Sequence, residues 1–182
     1  MRFEPSPVSG VWMVELDRTG EERDWCGCAF DHQEFAAMGL AMDVVQCNAS
    51  FSPRVGTLRG MHYQAEPHGE PKLVRCVRGA GYHVALDLRP ASASYRRWYG
   101  AVLSAESRGA LYLPAGVAHG SQTLVEDSEV LYLMGHRHVP EAARGVRWDD
   151  PAFAIRWPPV PGGLARLLSE RDASYADWRR ER

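Results

Sequence analysis

The sequence predicts an all-β fold, an antiparallel sandwich or barrel with short helices at its edges. Three observations predict it. Short segments rich in Val, Leu and Tyr recur roughly every 10 to 20 residues through the middle of the chain. Glycine- and proline-bearing turns punctuate them, and residues 46–134 carry no periodic pattern of helical length. A βαβ fold needs helices between its strands, so the pattern excludes it.

In chain order, residues 32–38 (HQEFAAM) read as about two helical turns, stopped by Gly39. Strands are expected at 72–77, 82–88, 101–103, 110–113 and 129–134. The turns between them are Gly79-Ala80-Gly81, Arg89-Pro90, Ser107-Arg108-Gly109, Pro114-Ala115-Gly116 and Glu126-Asp127-Ser128. The stretch Trp157-Pro158-Pro159-Val160-Pro161-Gly162 must be extended or turned, because proline cannot donate to a ladder. Two more short helices are expected at 163–168 and 174–180.

With 182 residues and no repeat, linker or low-complexity tract, one domain spanning residues 1–182 is expected. A formal charge of −2 excludes a broad attraction to nucleic acid or anionic membrane, while leaving room for a local basic pocket. No apolar run approaches the roughly 18 residues of a membrane span. The first residues lack the basic and apolar regions of a secretory signal. The cysteines Cys26, Cys28, Cys47 and Cys76 form no C-x-x-C pair, so free thiols and a cytoplasmic protein are expected. Trp98 and Trp148 read as packing residues; Trp12 and Trp25 suit either a core or a dimer interface.

Candidate chemistry begins with Thr57-Leu58-Arg59-Gly60-Met61-His62-Tyr63-Gln64. On a strand, His62 suits a base, a metal ligand or a structural residue. A second histidine, His119, follows the turn Pro114-Ala115-Gly116, and two histidines on separate strands can converge in a barrel mouth. A metal site of the H-x-H kind would need imidazole where Gln64 stands, so no metal is expected. As a base, His62 needs a carboxylate to hold its other ring nitrogen; Asp172, Asp149 and Asp150 are all candidates. Lys72 opens a strand, where it is either solvated or placed to neutralise a developing oxyanion. Tyr132 alternates with Val130 and on its own reads as core. Strict alternation sets Arg59 and His62 on opposite faces, unless a bulge at Gly60 re-aims the chain.

Together these words resemble the dTDP-4-dehydrorhamnose 3,5-epimerase family over residues 14–172. They are Gln46-Cys47-Asn48-Ala49-Ser50, the Leu58-to-Gln64 run, Lys72-Leu73-Val74-Arg75, the Leu113-to-Gly120 run and Arg144-Gly145-Val146-Arg147-Trp148-Asp149-Asp150-Pro151. The resemblance implies a cupin-type jelly-roll barrel, usually a homodimer, with no cofactor. It implies His62 as base paired with Asp172, Tyr132 as the opposing acid and Lys72 facing the ketone oxygen. Arg23, Gln46, Asn48, Arg59, His119 and Arg171 become contacts for a nucleotide-linked, most simply dTDP-linked, sugar and its diphosphate. Such an enzyme removes the proton next to a ketone and returns one from the opposite face, which needs two groups flanking the sugar.

Several positions depart from the family's pattern. Glu21-Glu22-Arg23-Asp24 keeps the arginine of the usual D-x-R-G and loses the glycine; Cys28 stands where a longer polar residue is common. His83 takes the place of a common aspartate, His138 of an aromatic residue and Ala143 of a frequent glutamate. His83 and His138 are therefore expected as ligand contacts. The departures point to a related 4-keto sugar or to inversion at C3 alone. A 3,4-ketoisomerase, kept in view by His83, and a non-catalytic sugar-nucleotide binding module are the competing readings.

Overall fold

The computed structural model describes residues 1–20, 24–40 and 42–178. Arg23, expected as a substrate contact, lies outside them. In chain order the elements are β1 (Arg2–Pro5), β2 (Trp12–Glu15), β3 (Thr19–Gly20), β4 (Trp25–Cys26), α1 (His32–Ala37), β5 (Gln46–Ser52) and β6 (Leu58–Gln64). They continue with β7 (Lys72–Arg78), β8 (Ala80–Asp87), β9 (Trp98–Ser104), β10 (Ala110–Leu113), β11 (Val117–Thr123), β12 (Ser128–Met134), β13 (Ala143–Gly145) and α2 (Glu170–Ala173).

The strands form two antiparallel sheets packed as a jelly-roll barrel. The larger runs β1-β2-β10-β7-β12-β5, the smaller β13-β6-β11-β8-β9, and β3 pairs with β4 as a ribbon. Alternation along each strand decides what is buried where. Val74 and Cys76 of β7, Leu111 and Leu113 of β10, and Val130 of β12 meet Ala85, Leu103 and Val117 of the smaller sheet in the central core. Leu73 and Tyr112 point the other way, into a second cluster closed by Phe35 of α1. Met61, Val84, Leu86 and Ala118 face outward from the smaller sheet and are covered by Val146 and Phe153. The central strands β7, β8 and β10 are thus buried largely on both faces, which explains their near-continuous apolar runs.

α1 follows its capping chemistry: the Asp31 carboxylate accepts from the Gln33 and Glu34 amides at 2.8 and 2.9 Å, and Gly39 leaves the helix at φ +71°. The expected strands are found, mostly one to three residues longer at one or both ends.

The C-terminal helices differ from expectation. At 163–168 the chain makes a single 3-10 turn, Pro161–Gly163, and then runs extended, because Leu167 pairs its backbone with Gly56 and Leu58. The final helix is Glu170–Ala173, ahead of the expected 174–180, because Ser169 caps it by accepting the Asp172 amide at 3.1 Å. Residues 179 and 180 lie outside the described residues.

Candidate active site

A cleft of about 910 Å³ opens between the sheets at one end of the barrel. Inward-facing positions of both sheets line it: Asn48, Lys72 and Tyr132 from the larger, Arg59, His62 and His119 from the smaller. Tyr132 stands opposite Asn48 across β12 and β5, and His62 stands opposite His119 across β6 and β11. A smaller cleft of about 180 Å³ adjoins it; His62, Lys72 and Arg171 line both, and His138 and Ala143 only the smaller.

Arg59 and His62 share the cleft because β6 bulges between them. His119 pairs with His62 and Ser121 with Arg59, so Gly120 alone faces the two residues Gly60 and Met61. The extra residue shifts the alternation by one and turns both polar side chains inward. Only glycine fits the inner position. Gly60 has φ +118°, and a Cβ there would stand 2.5 Å from the Gly120 Cα and 2.8 Å from the His119 carbonyl oxygen.

Of the three carboxylates open to His62, the fold delivers Asp172. Its Oδ1 lies 2.6 Å from His62 Nε2, and the Gly60 amide donates to Oδ2 at 3.4 Å. Burial alone would push this carboxyl up, yet the bonds from His62, the Gly60 amide and Ser169 outweigh burial and hold it below the usual carboxylate range. Asp149 instead pairs with Arg147, and Asp150 is buried as the acceptor of the Ala152 and Trp178 amides. With Nε2–H donated to Asp172, His62 keeps Nδ1 as the nitrogen that can take a proton. Its side chain is 40% exposed, open to a substrate while its partner is not.

Lys72 is nearly buried, its Nζ 2.8 Å from Oε1 of the buried Glu70. Tyr132 is half-buried; burial pushes its phenol up, only partly offset by the Arg59 charge and a hydrogen bond with Ser121. A raised phenol stays protonated at neutral pH and remains a donor. His119 presents its ring edge-on to Tyr132, with centroids 6.0 Å apart. Burial first, then the charges of His83, Lys72 and His62, push His119 well below the usual imidazole range, so it is neutral.

Two expected contacts stand elsewhere. His83 does not reach either cleft: it is fully buried, its Nδ1 3.1 Å from His119 Nε2. Alternation along β8 turns it into the space between the sheets, behind His119. Gln46 lines neither cleft. It braces two neighbours, donating to Asn48 Oδ1 at 3.1 Å and accepting the His138 amide at 3.2 Å.

Gln64, where a metal-binding pattern would want histidine, has its amide spent on the backbone. It donates to the His68 and Arg137 carbonyls and accepts the Val139 amide. Among the described residues no three His, Cys, Asp or Glu side chains gather as a metal site. Four further residues support the site: Glu70, Ser121, Ser169 and Tyr175. Tyr175 packs edge-on against His62 and accepts the Arg171 Nε–H at 2.8 Å. Ser169-x-x-Asp172 carried a readable capping signal; the other three meet the site only through tertiary contact.

Titratable side chains from both sheets gathered in one cleft of a jelly-roll barrel are the arrangement of a cupin-type enzyme site. The particular family follows from comparison. The family model for dTDP-4-dehydrorhamnose 3,5-epimerase matches residues 5–180, and the chain belongs to that family. The dTDP-4-dehydrorhamnose 3,5-epimerase of Sinorhizobium fredii is 38% identical over 174 residues, 96% of this chain and 88% of that protein. The crystal structure of the enzyme of that name from Elizabethkingia anophelis superimposes with a TM-score of 0.92 at 31% identity, covering 98% of this chain and 96% of that one. ChmJ, a 3'-monoepimerase from Streptomyces bikiniensis solved with dTDP-quinovose, gives 0.82 at 34% identity, covering 92% and 83%. No helix among the described residues is long and apolar enough to cross a membrane.

Proposed function

We propose that the protein inverts C3, or C3 and C5, of a dTDP-linked 4-keto-6-deoxy sugar, with His62 as base and Tyr132 as the opposing acid. One observation carries this reading: the Asp172-paired imidazole comes from one sheet and the phenol from the other, and both line a single cleft. His62 Nδ1 takes the proton from the carbon beside the C4 ketone. The electron pair left on that carbon moves to the ketone oxygen as an enolate, whose charge Lys72 offsets. The Tyr132 hydroxyl returns a proton to the other face, and solvent resets both groups. Neither step calls for a cofactor.

Asn48, Arg59, His119 and Arg171 are assigned to the nucleotide sugar, with the two arginines suited to its diphosphate. The dTDP-quinovose held by the Streptomyces bikiniensis relative supports the nucleotide. Restriction to C3 is supported by that relative's 3'-monoepimerase name and by two departures, His138 and Ala143, that line the smaller cleft beside His62 and Lys72. The reading includes a homodimer in the cytoplasm. The outward-facing apolar residues of β5, β7 and β12, with Phe51 and Val77 exposed, suit a subunit interface.

The test is incubation with dTDP-4-keto-6-deoxyglucose in deuterated water, following C3 and C5 by NMR. Inverted product with deuterium at both carbons, lost in His62→Ala, supports double inversion; inversion and deuterium at C3 alone support the restricted reaction. No deuterium at either carbon overturns the assignment for this substrate.

A further inference from the structure

One buried polar contact has no part in the chemistry above. His83 of β8 is fully buried, and its Nδ1 meets Nε2 of His119 on the neighbouring strand β11 at 3.1 Å. The rings lie nearly parallel, 16° apart. The other nitrogen of His83, Nε2, is buried and has no hydrogen-bond partner among the described residues. Beside it lies Gly81, where a Cβ would approach Nε2 to 2.9 Å; the neighbour that ought to meet this nitrogen has no side chain.

A single proton lies between the two rings, carried by one of them. Were it on His119, neutral His83 would hold its own proton on Nε2, an N–H sealed in the barrel with nothing to accept it. With the proton on His83 Nδ1, the atom left alone is a bare lone pair. Orphaned buried N–H groups are the rarer of the two in folded proteins, so the second arrangement is favoured. Burial keeps the pair neutral, with His83 lowered to about 4 and His119 well below the usual imidazole range. His119 must then carry its only proton on Nδ1.

We propose that His83 is a positioning residue: its Nδ1–H donates to His119 Nε2 and fixes His119 as the tautomer whose Nδ1–H is a neutral donor to an acceptor oxygen of the nucleotide sugar. His119 lines the cleft together with Lys72, His62 and Tyr132, so its donor joins those of Lys72 and Tyr132. A carboxylate at position 83 would accept from His119 Nε2, and so either move the ring's proton there or charge His119. The histidine found there keeps the donor neutral and its direction set.

The first measurement is the ring-nitrogen NMR spectrum of the free protein labelled at histidine, at neutral pH. Protonated Nδ1 and bare Nε2 on His119 are expected; a proton on Nε2, or on both nitrogens, overturns the proposal. His83→Asp, which can only accept, draws a proton onto His119 Nε2 and loses the wild-type pattern. Persistence of the pattern in a folded His83→Asp also overturns it.

The second measurement rests on the proposed function: with dTDP-4-keto-6-deoxyglucose, His83→Leu raises KM about tenfold and changes kcat less. An unchanged KM in a folded variant overturns the binding role. Parallel weakening of dTDP places the acceptor on the diphosphate, and unchanged dTDP binding places it on the sugar. Absence of turnover in the wild type would sink the assigned reaction, whereas the ring spectrum is read without substrate.

Discussion

In the proposed reaction His62 and Asp172 divide the work of one base between an open ring and a buried carboxylate. Asp172→Asn keeps the side chain's size, loses the negative charge and lets the ring turn or change tautomer. Activity is expected to fall by about 10²–10⁴-fold with circular dichroism unchanged, since general-base catalysis is worth that much. Tyr132→Phe tests the other side of the sugar. Solvent deuterium should still enter at the reacting carbon, because His62 can remove and return the proton on its own face, while the inverted product disappears. NMR of the recovered sugar nucleotide distinguishes the two results, and rapid inversion by Tyr132→Phe would remove the tyrosine from the role. Spacing alone left three aspartates open for His62, and the family resemblance implied Asp172. A helix that follows both sheets brings it there, a contact no spacing could reveal.

At the scale of elements, the bulge in β6 decides whether a site exists. Gly60→Ala would force a Cβ into the Gly120 backbone at a φ where side chains are strained. Loss of about 1–3 kcal/mol is expected by urea unfolding, with weaker substrate binding as Arg59 turns away. A variant of wild-type stability would contradict the assigned geometry. Alternation alone placed Arg59 and His62 apart, and only the glycine between them hinted at the correction. Strand positions were legible because the central strands β7, β8 and β10 are buried largely on both faces and write apolar runs into the sequence. The C-terminal helices were not: a four-residue helix has too few positions to show a period, and its start depended on Ser169 and on the pairing of Leu167 with Gly56 and Leu58. His83 read as a ligand contact by the type of residue it replaces, whereas strand direction puts it behind His119.

At the scale of the whole molecule, protons taken up on unfolding set the acid response. His83 and His119 are held neutral in the fold, with values below the roughly 6.5 of an unfolded histidine. Between about pH 6.5 and pH 4 the unfolded chain binds more protons, so stability falls as pH falls through that window. The shift of His83 to about 4 corresponds to about 3 kcal/mol. Asp87 and Asp172 are lowered as well and act at more acid pH. Buried Asp87, held at about 2 by Arg89, Ser92 and Ser94 against the effect of burial, contributes stability that is complete above about pH 4 and lost as pH falls through 2. Urea midpoints at pH 7 and pH 5 should differ in the wild type, and by less in His83→Leu; an equal difference in both would refute the linkage. The dyad also has a history in time. His62 and Asp172 are 110 residues apart, and both sheets are complete in the chain before Asp172 emerges from a ribosome. A translation product halted in that interval would possess a cleft and an imidazole, but no carboxylate to direct it. On the proposed mechanism catalysis begins only when the last of these segments has docked, which makes turnover a late reporter of maturation.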